Sequence, residues 1–188
     1  MKKLFLIIVA AITGFTASAQ QIQDLAVIPI GVTLNSIMRL TVNSGGNIEF
    51  VVNTMSQYQK GIANSDPYTT SFSVSSSAKF AVTLQADANA LYGTIDATHI
   101  MDLDAINYET VANTTGTSVT LGASSTGTLS ETAQYLIGAE TTGHDSGQFN
   151  DIKIKWSLAQ GKTDYYLSQF ASDRYVVNAY LQLHNIGQ

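Results

Sequence analysis

The sequence predicts an all-β protein, an antiparallel β-sandwich with Greek-key-like connections, on three observations. Apolar residues recur with a period of two wherever a period is legible. No segment sustains a 3.6-residue period with caps at both ends. About eight to ten short runs are separated by Gly, Asn and Ser clusters, which suits strands joined by turns. The alternative is an outer-membrane β-barrel; against it, the chain lacks evenly spaced strands of ~10 residues and aromatic girdles.

The chain opens as an export signal. Lys2 and Lys3 precede an apolar run from Leu4 to Ile12, and Ala17-Ser18-Ala19 supplies the small residues a signal peptidase needs. The run is shorter than the ~20 residues that span a bilayer, so no membrane span is expected after cleavage. Residues 1–19 are thus expected as a secretory signal peptide, and 20–188 as one all-β domain.

From Gln23 to Leu34 the residues Ile28, Ile30, Val32 and Leu34 form an alternating apolar face, interrupted by Pro29 and Gly31. Proline removes a ladder donor and is tolerated at sheet edges, so an edge strand is expected here. It either pairs within its own sandwich or is donated to a neighbour.

Met38, Leu40 and Val42 alternate with Arg39, Thr41 and Asn43; Ser44-Gly45-Gly46-Asn47 reads as a turn, and Ile48, Phe50 and Val52 resume the pattern, which predicts a hairpin. Strands are expected at Ser71–Ser75 and Phe80–Gln85, with weaker ones at Ile100–Tyr108, Thr117–Leu121 and Ala133–Ile137, and a helical turn fits Ala86–Leu91. Asn113 to Thr132, rich in Thr, Gly and Ser, reads as long loops around one edge strand. Ile152, Ile154, Trp156 and Leu158 alternate with Lys153, Lys155 and Ser157 in the clearest half-buried strand, with Trp156 expected between two sheets. Tyr175 to Leu183 is expected as the last strand, with Tyr175, Val177, Ala179, Leu181 and Leu183 on one face.

Charge narrows the partners. Loss of Lys2 and Lys3 takes the formal net charge from −5 to −7, which argues against nucleic acid or anionic lipid, since both need clustered Lys and Arg. With no cysteine, the fold must rest on packing and strand pairing, and thiol nucleophiles, thiolate metal sites and a lipidated N-terminal Cys are excluded. Only 12% of residues are charged while hydroxyl and amide side chains abound, a surface suited to an exported β protein in the periplasm, at the cell surface or outside the cell.

Few residues offer chemistry. His144-Asp145-Ser146 contains the three residue types of a hydrolase triad, yet adjacent residues cannot align on one another and no Gly-x-Ser-x-Gly elbow is present; a solvated turn is expected. Asp102 and Asp104, with Asp96 and His99 just before, place two carboxylates on one side of a strand, fewer ligands than the six to eight oxygens calcium takes. His99, His144 and His184 lack zinc-site spacing. Asp145 with Asp151, and Glu131 with Glu140, are acid–base pairs of a kind any chain with 14 carboxylates contains. Tyr165, Tyr166 and Tyr175 invite a sugar-stacking reading, although tyrosine serves β cores and strand edges equally. No catalytic, cofactor-binding or metal-binding residue is therefore assigned, no cofactor is expected, and the chain is expected not to be an enzyme.

Trp156-Ser157-Leu158 and the C-terminal run from Tyr175 to Leu183 resemble small secreted surface β-sandwiches, among them WxL-type wall-associated domains and pilin-like and coat-protein subunits. The resemblance covers about the C-terminal fifth of the chain and implies a surface structural role. The chain departs from it in having no placeable second wall-binding motif and no disulfide, so no binding residue is carried over. The expected function is a structural or adhesive surface protein, a homo-oligomer or filament subunit assembling through its N-terminal strand. The alternative is an exported binding module for a surface glycan or a metal.

Overall fold

The structure, a computed structural model, describes residues 28–112 and 119–186. The expected signal at 1–19, residues 23–27 of the expected first strand, and Thr117 and Ser118 of another lie outside the described residues. The chain divides into one unit ending at Leu34 and a second beginning at Asn35.

The second unit is an antiparallel all-β sandwich; among the described residues no sheet closes into a barrel. Its strands are β1 (Met38–Ser44), β2 (Thr69–Ser76), β3 (Phe80–Ala86), β4 (Ala90–Gly93), β5 (Ile100–Asp102), β6 (Ile106–Val111), β7 (Thr126–Thr128), β8 (Gln134–Ile137), β9 (Gly147–Leu158), β10 (Tyr175–Val176) and β11 (Ala179–Asn185). They form a five-stranded sheet in the order β1-β2-β9-β6-β7 and two three-stranded sheets, β11-β3-β8 and β10-β4-β5. The chain passes from one sheet to another between β2 and β3, so the two runs flanking the Ser-rich turn are not a hairpin.

The period-two pattern explains which faces are inside. On β2, Thr70, Phe72, Val74 and Ser76 are buried while Ser71, Ser73 and Ser75 face outward. Opposite Phe72 lies Ile152 of β9, and both side chains are fully buried. From the other sheet come Phe80, Val82 and Leu84 of β3 with Leu136 and Ile137 of β8. Phe80 meets Phe149 of β9 with ring centroids 5.4 Å apart, a contact that joins the two layers. Each such buried side chain contributes about 1.5–3 kcal/mol. Trp156 is buried on the same face as Ile152 and Ile154.

β9 begins five residues before the clean alternation. Val74 pairs with Phe149 and Phe72 with Ile152, so β9 holds one residue more than β2 over this stretch. Asp151, at φ 59°, absorbs it as a β-bulge, and Phe149 returns to the inner face.

Four expectations need correction. The hairpin between 38–42 and 48–52 does not form: β1 pairs with β2, and Ile48, Phe50 and Val52 pack half-buried without joining a strand. Gly45, at φ 68°, carries the chain so close to the Thr69 carbonyl that a Cβ would collide with it, and β2, not the following segment, takes the edge of β1. The single last strand is two, because the Asp87 carboxylate binds the backbone and side-chain amides of Asn178 and parts β10 from β11. At Ala86–Leu91 the chain bends and enters β4 rather than forming a helical turn. The described part of the expected N-terminal strand, residues 28–34, has no strand structure; Pro29 has no N–H, and the apolar side chains lie in solvent.

A short helix, α1 (Met55–Lys60), falls outside the expectations altogether. It is closed by a capping box in which Thr54 accepts from the Gln57 N–H and the Gln57 side chain accepts from the Thr54 N–H. Among the described residues no helix is long and apolar enough to cross a membrane.

Candidate functional site

The residues with chemical potential are drawn into structural work. His144 is buried, its ring 4.5 Å from that of Phe149 and 5.4 Å from that of Phe80, and its backbone exchanges two hydrogen bonds with Phe80. This is not the solvated turn expected: two aromatic neighbours and a bridge to β3 draw the histidine inward. Asp145 points outward to Lys79 at 3.4 Å, so the two side chains part.

Asp102 and Asp104 do not share a strand face. Asp102 ends β5, whereas Asp104 sits in a 3₁₀ turn, Leu103–Ala105, where it takes hydrogen bonds from the Lys162 ammonium and, at 3.1 Å, the Tyr166 hydroxyl. The Lys162 hydrogen bond, the largest influence, holds the Asp104 carboxyl below its ordinary value. Burial and the Asp104 carboxylate push the Tyr166 hydroxyl up to about 12.

His99 binds Asp173, a residue that sequence reasoning passed over. The Asp173 carboxylate is shielded from solvent and receives the N–H groups of Ile95 at 3.0 Å, Asp96 at 3.1 Å and Arg174 at 2.6 Å, with His99 Nδ1 at 2.9 Å. Burial alone raises its pKa; these hydrogen bonds outweigh it and hold the group far below the usual carboxylate range. The arrangement fastens the loop after β4. Among the described residues no group of three His, Asp or Glu side chains could hold a metal.

His184 pairs its Nε2 with the Thr83 hydroxyl at 2.8 Å, so the three histidines serve three separate places. Asp151 lies by Lys153 at 3.8 Å, apart from the Asp145–Lys79 pair. Glu131 and Glu140 are exposed. Tyr166 and Tyr175 are linked through Phe170, with centroids 5.4 and 6.3 Å apart, while Tyr165 stands half in solvent beside them.

Two surface features remain. On the outer face of the five-stranded sheet, Thr128, Asn107 and Ser157 form one cross-strand row and Thr126, Glu109 and Lys155 the next. These six residues line a groove, and Asn107 Oδ1 is buried there without a partner among the described residues.

The other feature is apolar. In the unit ending at Leu34, Ile28, Ile30, Val32 and Leu34 are 80–90% exposed. They alternate along the sequence with Pro29, Gly31 and Thr33, and together they leave a run of large apolar side chains in solvent. In the second unit, β11 ends its sheet. Its register with β3 runs unbroken from Ala179↔Ala86 to Asn185↔Phe80, and no described strand pairs with its other side. Leu181 and Leu183 lie opposite Leu84 and Val82, hence on the core side, yet both are only half-buried. The signal for such an edge was legible: residues 179–185 contain no proline and no Asp, Glu, Lys or Arg, the usual protections of an exposed strand.

No family model matches the chain, and no curated protein is similar to it.

Proposed function

We propose that the chain is an exported structural or adhesive surface protein whose copies assemble through strand pairing. The observation that carries this reading is the stripe of Ile28, Ile30, Val32 and Leu34, alternating and 80–90% exposed just before β1. Leaving four such side chains in water forfeits about 1.5–3 kcal/mol each, a cost that pairing with another sheet removes. A cysteine-free sandwich of low charge, held by packing and main-chain pairing, is a building block of the same kind. The resemblance of its C-terminal run to pilin-like and coat-protein subunits agrees with such a role. The test is light scattering of the chain beginning at Gln20 over a wide range of concentration, with negative-stain microscopy. Discrete multimers or filaments growing with concentration are the expected result; a monomer throughout overturns the reading.

A second reading, an exported glycan-binding module, rests on the groove that Asn107, Glu109, Thr126, Thr128, Lys155 and Ser157 line. Hydroxyls and amides in rows across three strands offer the donors and acceptors a neutral sugar needs. Calorimetric titration with soluble oligosaccharides tests it. Saturable heat, abolished by Asn107→Ala, supports binding; no heat with any of them rejects it.

A further inference from the structure

We infer that the sugar taken by the groove on the five-stranded sheet is a zwitterion: an amino sugar that also carries a carboxylate, with its carboxylate on Lys155 and its ammonium on Glu109. The inference rests on the glycan-binding reading above and names the class of sugar.

The two charged side chains are placed to pair and do not. Glu109 of β6 and Lys155 of β9 stand directly opposite in the ladder, and both line the groove. Opposite charges at such positions are within easy reach of one another. Lys153, two residues away on the same strand, does close on Asp151 at 3.8 Å. Among the described residues, however, neither Glu109 nor Lys155 has an ion pair or a side-chain hydrogen bond. Arg39 and Lys60 also lack an acidic partner, but they stand in solvent, whereas Lys155 is half-buried. A cation drawn partly out of water with no counter-charge is a ready partner for an anionic group.

The neighbouring row is suited to sugar hydroxyls. Ser157 lies opposite Asn107 and is only 8% exposed, yet its hydroxyl has no partner among the described residues. Leaving a buried hydroxyl unpaired is unfavourable, and a ligand hydroxyl in the groove would satisfy it. The groove holds about 380 Å³, within the range of small-molecule sites. Charge complementarity then selects among sugars. A carboxylate alone would set its charge against Glu109, and an ammonium alone would set its charge against Lys155. A ligand with both groups meets an opposite charge at each.

The test uses the full chain and four soluble probes, read by saturation-transfer NMR of the ligand, which works on assembled protein as well as on monomers. Muramic acid is an amino sugar with a carboxylate on its lactyl ether. N-acetylmuramic acid keeps only the carboxylate, glucosamine keeps only the ammonium, and glucose has neither. Muramic acid should bind about fivefold or more tighter than each of the others, and added salt should reduce the difference. Lys155→Gln and Glu109→Gln, each shown to be folded by circular dichroism, should each remove the advantage. Muramic acid binding no tighter than glucose, or an advantage that survives both substitutions, overturns the inference; the glycan-binding reading stands if a neutral oligosaccharide still binds. Absence of binding by any of these sugars or by the oligosaccharides removes reading and inference together.

Discussion

Trp156 and Thr70 meet inside the sandwich, where the indole Nε1 donates to the threonine hydroxyl at 2.8 Å. That hydroxyl in turn donates to the Gly45 carbonyl at 2.7 Å. The most central strand, its neighbour and the turn after β1 are thus tied by one short relay.

Thr70→Val keeps the shape but breaks both links and leaves a buried indole N–H unpaired. A loss of about 1–3 kcal/mol is expected. Thr70→Ser, which keeps the hydroxyl, should recover most of it. Urea denaturation midpoints of the two variants check this, and equal midpoints for Thr70→Val and the parent would show that the relay adds nothing.

Trp156 is the single tryptophan of the chain. Buried against Tyr108, with ring centroids 6.2 Å apart, it should emit at short wavelength when folded and shift to the red in one cooperative step on unfolding. Trp156→Ala should cost about 3–5 kcal/mol, read by circular dichroism because the fluorophore is gone. An unchanged midpoint would mean that the ring packs against nothing of consequence.

Gly45→Ala addresses the turn that redirected the chain. Alanine at φ 68° is strained, and its Cβ would strike the Thr69 carbonyl. More than about 1 kcal/mol of destabilisation is expected, well beyond Gly46→Ala, whose Cβ meets only Val42 at 4.0 Å. Comparable midpoints for the two variants would refute the difference.

Acid should reveal the Asp173 clamp. Its folded pKa is depressed, so its contribution is present above the unfolded value near ~3.9 and lost as pH falls towards the folded one. Asp173→Asn should melt lower than the parent at neutral pH, by a margin that is constant above about pH 5 and shrinks below about pH 4. A margin independent of pH down to strong acid would show that the carboxylate's charge is not what fastens the loop.

Much of this fold is legible as alternation. Ile152 to Leu158 announces its strand because one face meets the core, whereas Phe80 to Leu84, buried on both faces, alternates only in side-chain size, with Ala81 and Thr83 between Phe80, Val82 and Leu84. What the pattern does not carry is partnership. Met38 to Val42 looks like the first arm of a hairpin, yet its partner is β2, because the close approach of Gly45 to Thr69 and Thr70 is a contact between distant parts of the chain. Asp173 is invisible for the same reason: its meaning lies in N–H groups at Ile95 and Asp96, far away in sequence. β9 was seen from Ile152 only, since the bulge at Asp151 puts Phe149 out of phase with simple alternation. The apolar run from Ile28 to Leu34 was legible as alternation, whereas its lack of strand structure was not.

The bulge at Asp151 also bears on how this chain tolerates changes of length. Phe149 and Ile152 are three residues apart and face the same interior; with Asp151 deleted they would be two apart and still do so, now in a regular ladder opposite Val74 and Phe72. A deletion one step later, at Lys153, has no such slack and would set Ile152 and Ile154 side by side, turning one of them to water. Within its longest strand, then, the chain carries one dispensable link, and descendants of different length should differ there before they differ anywhere else in β9.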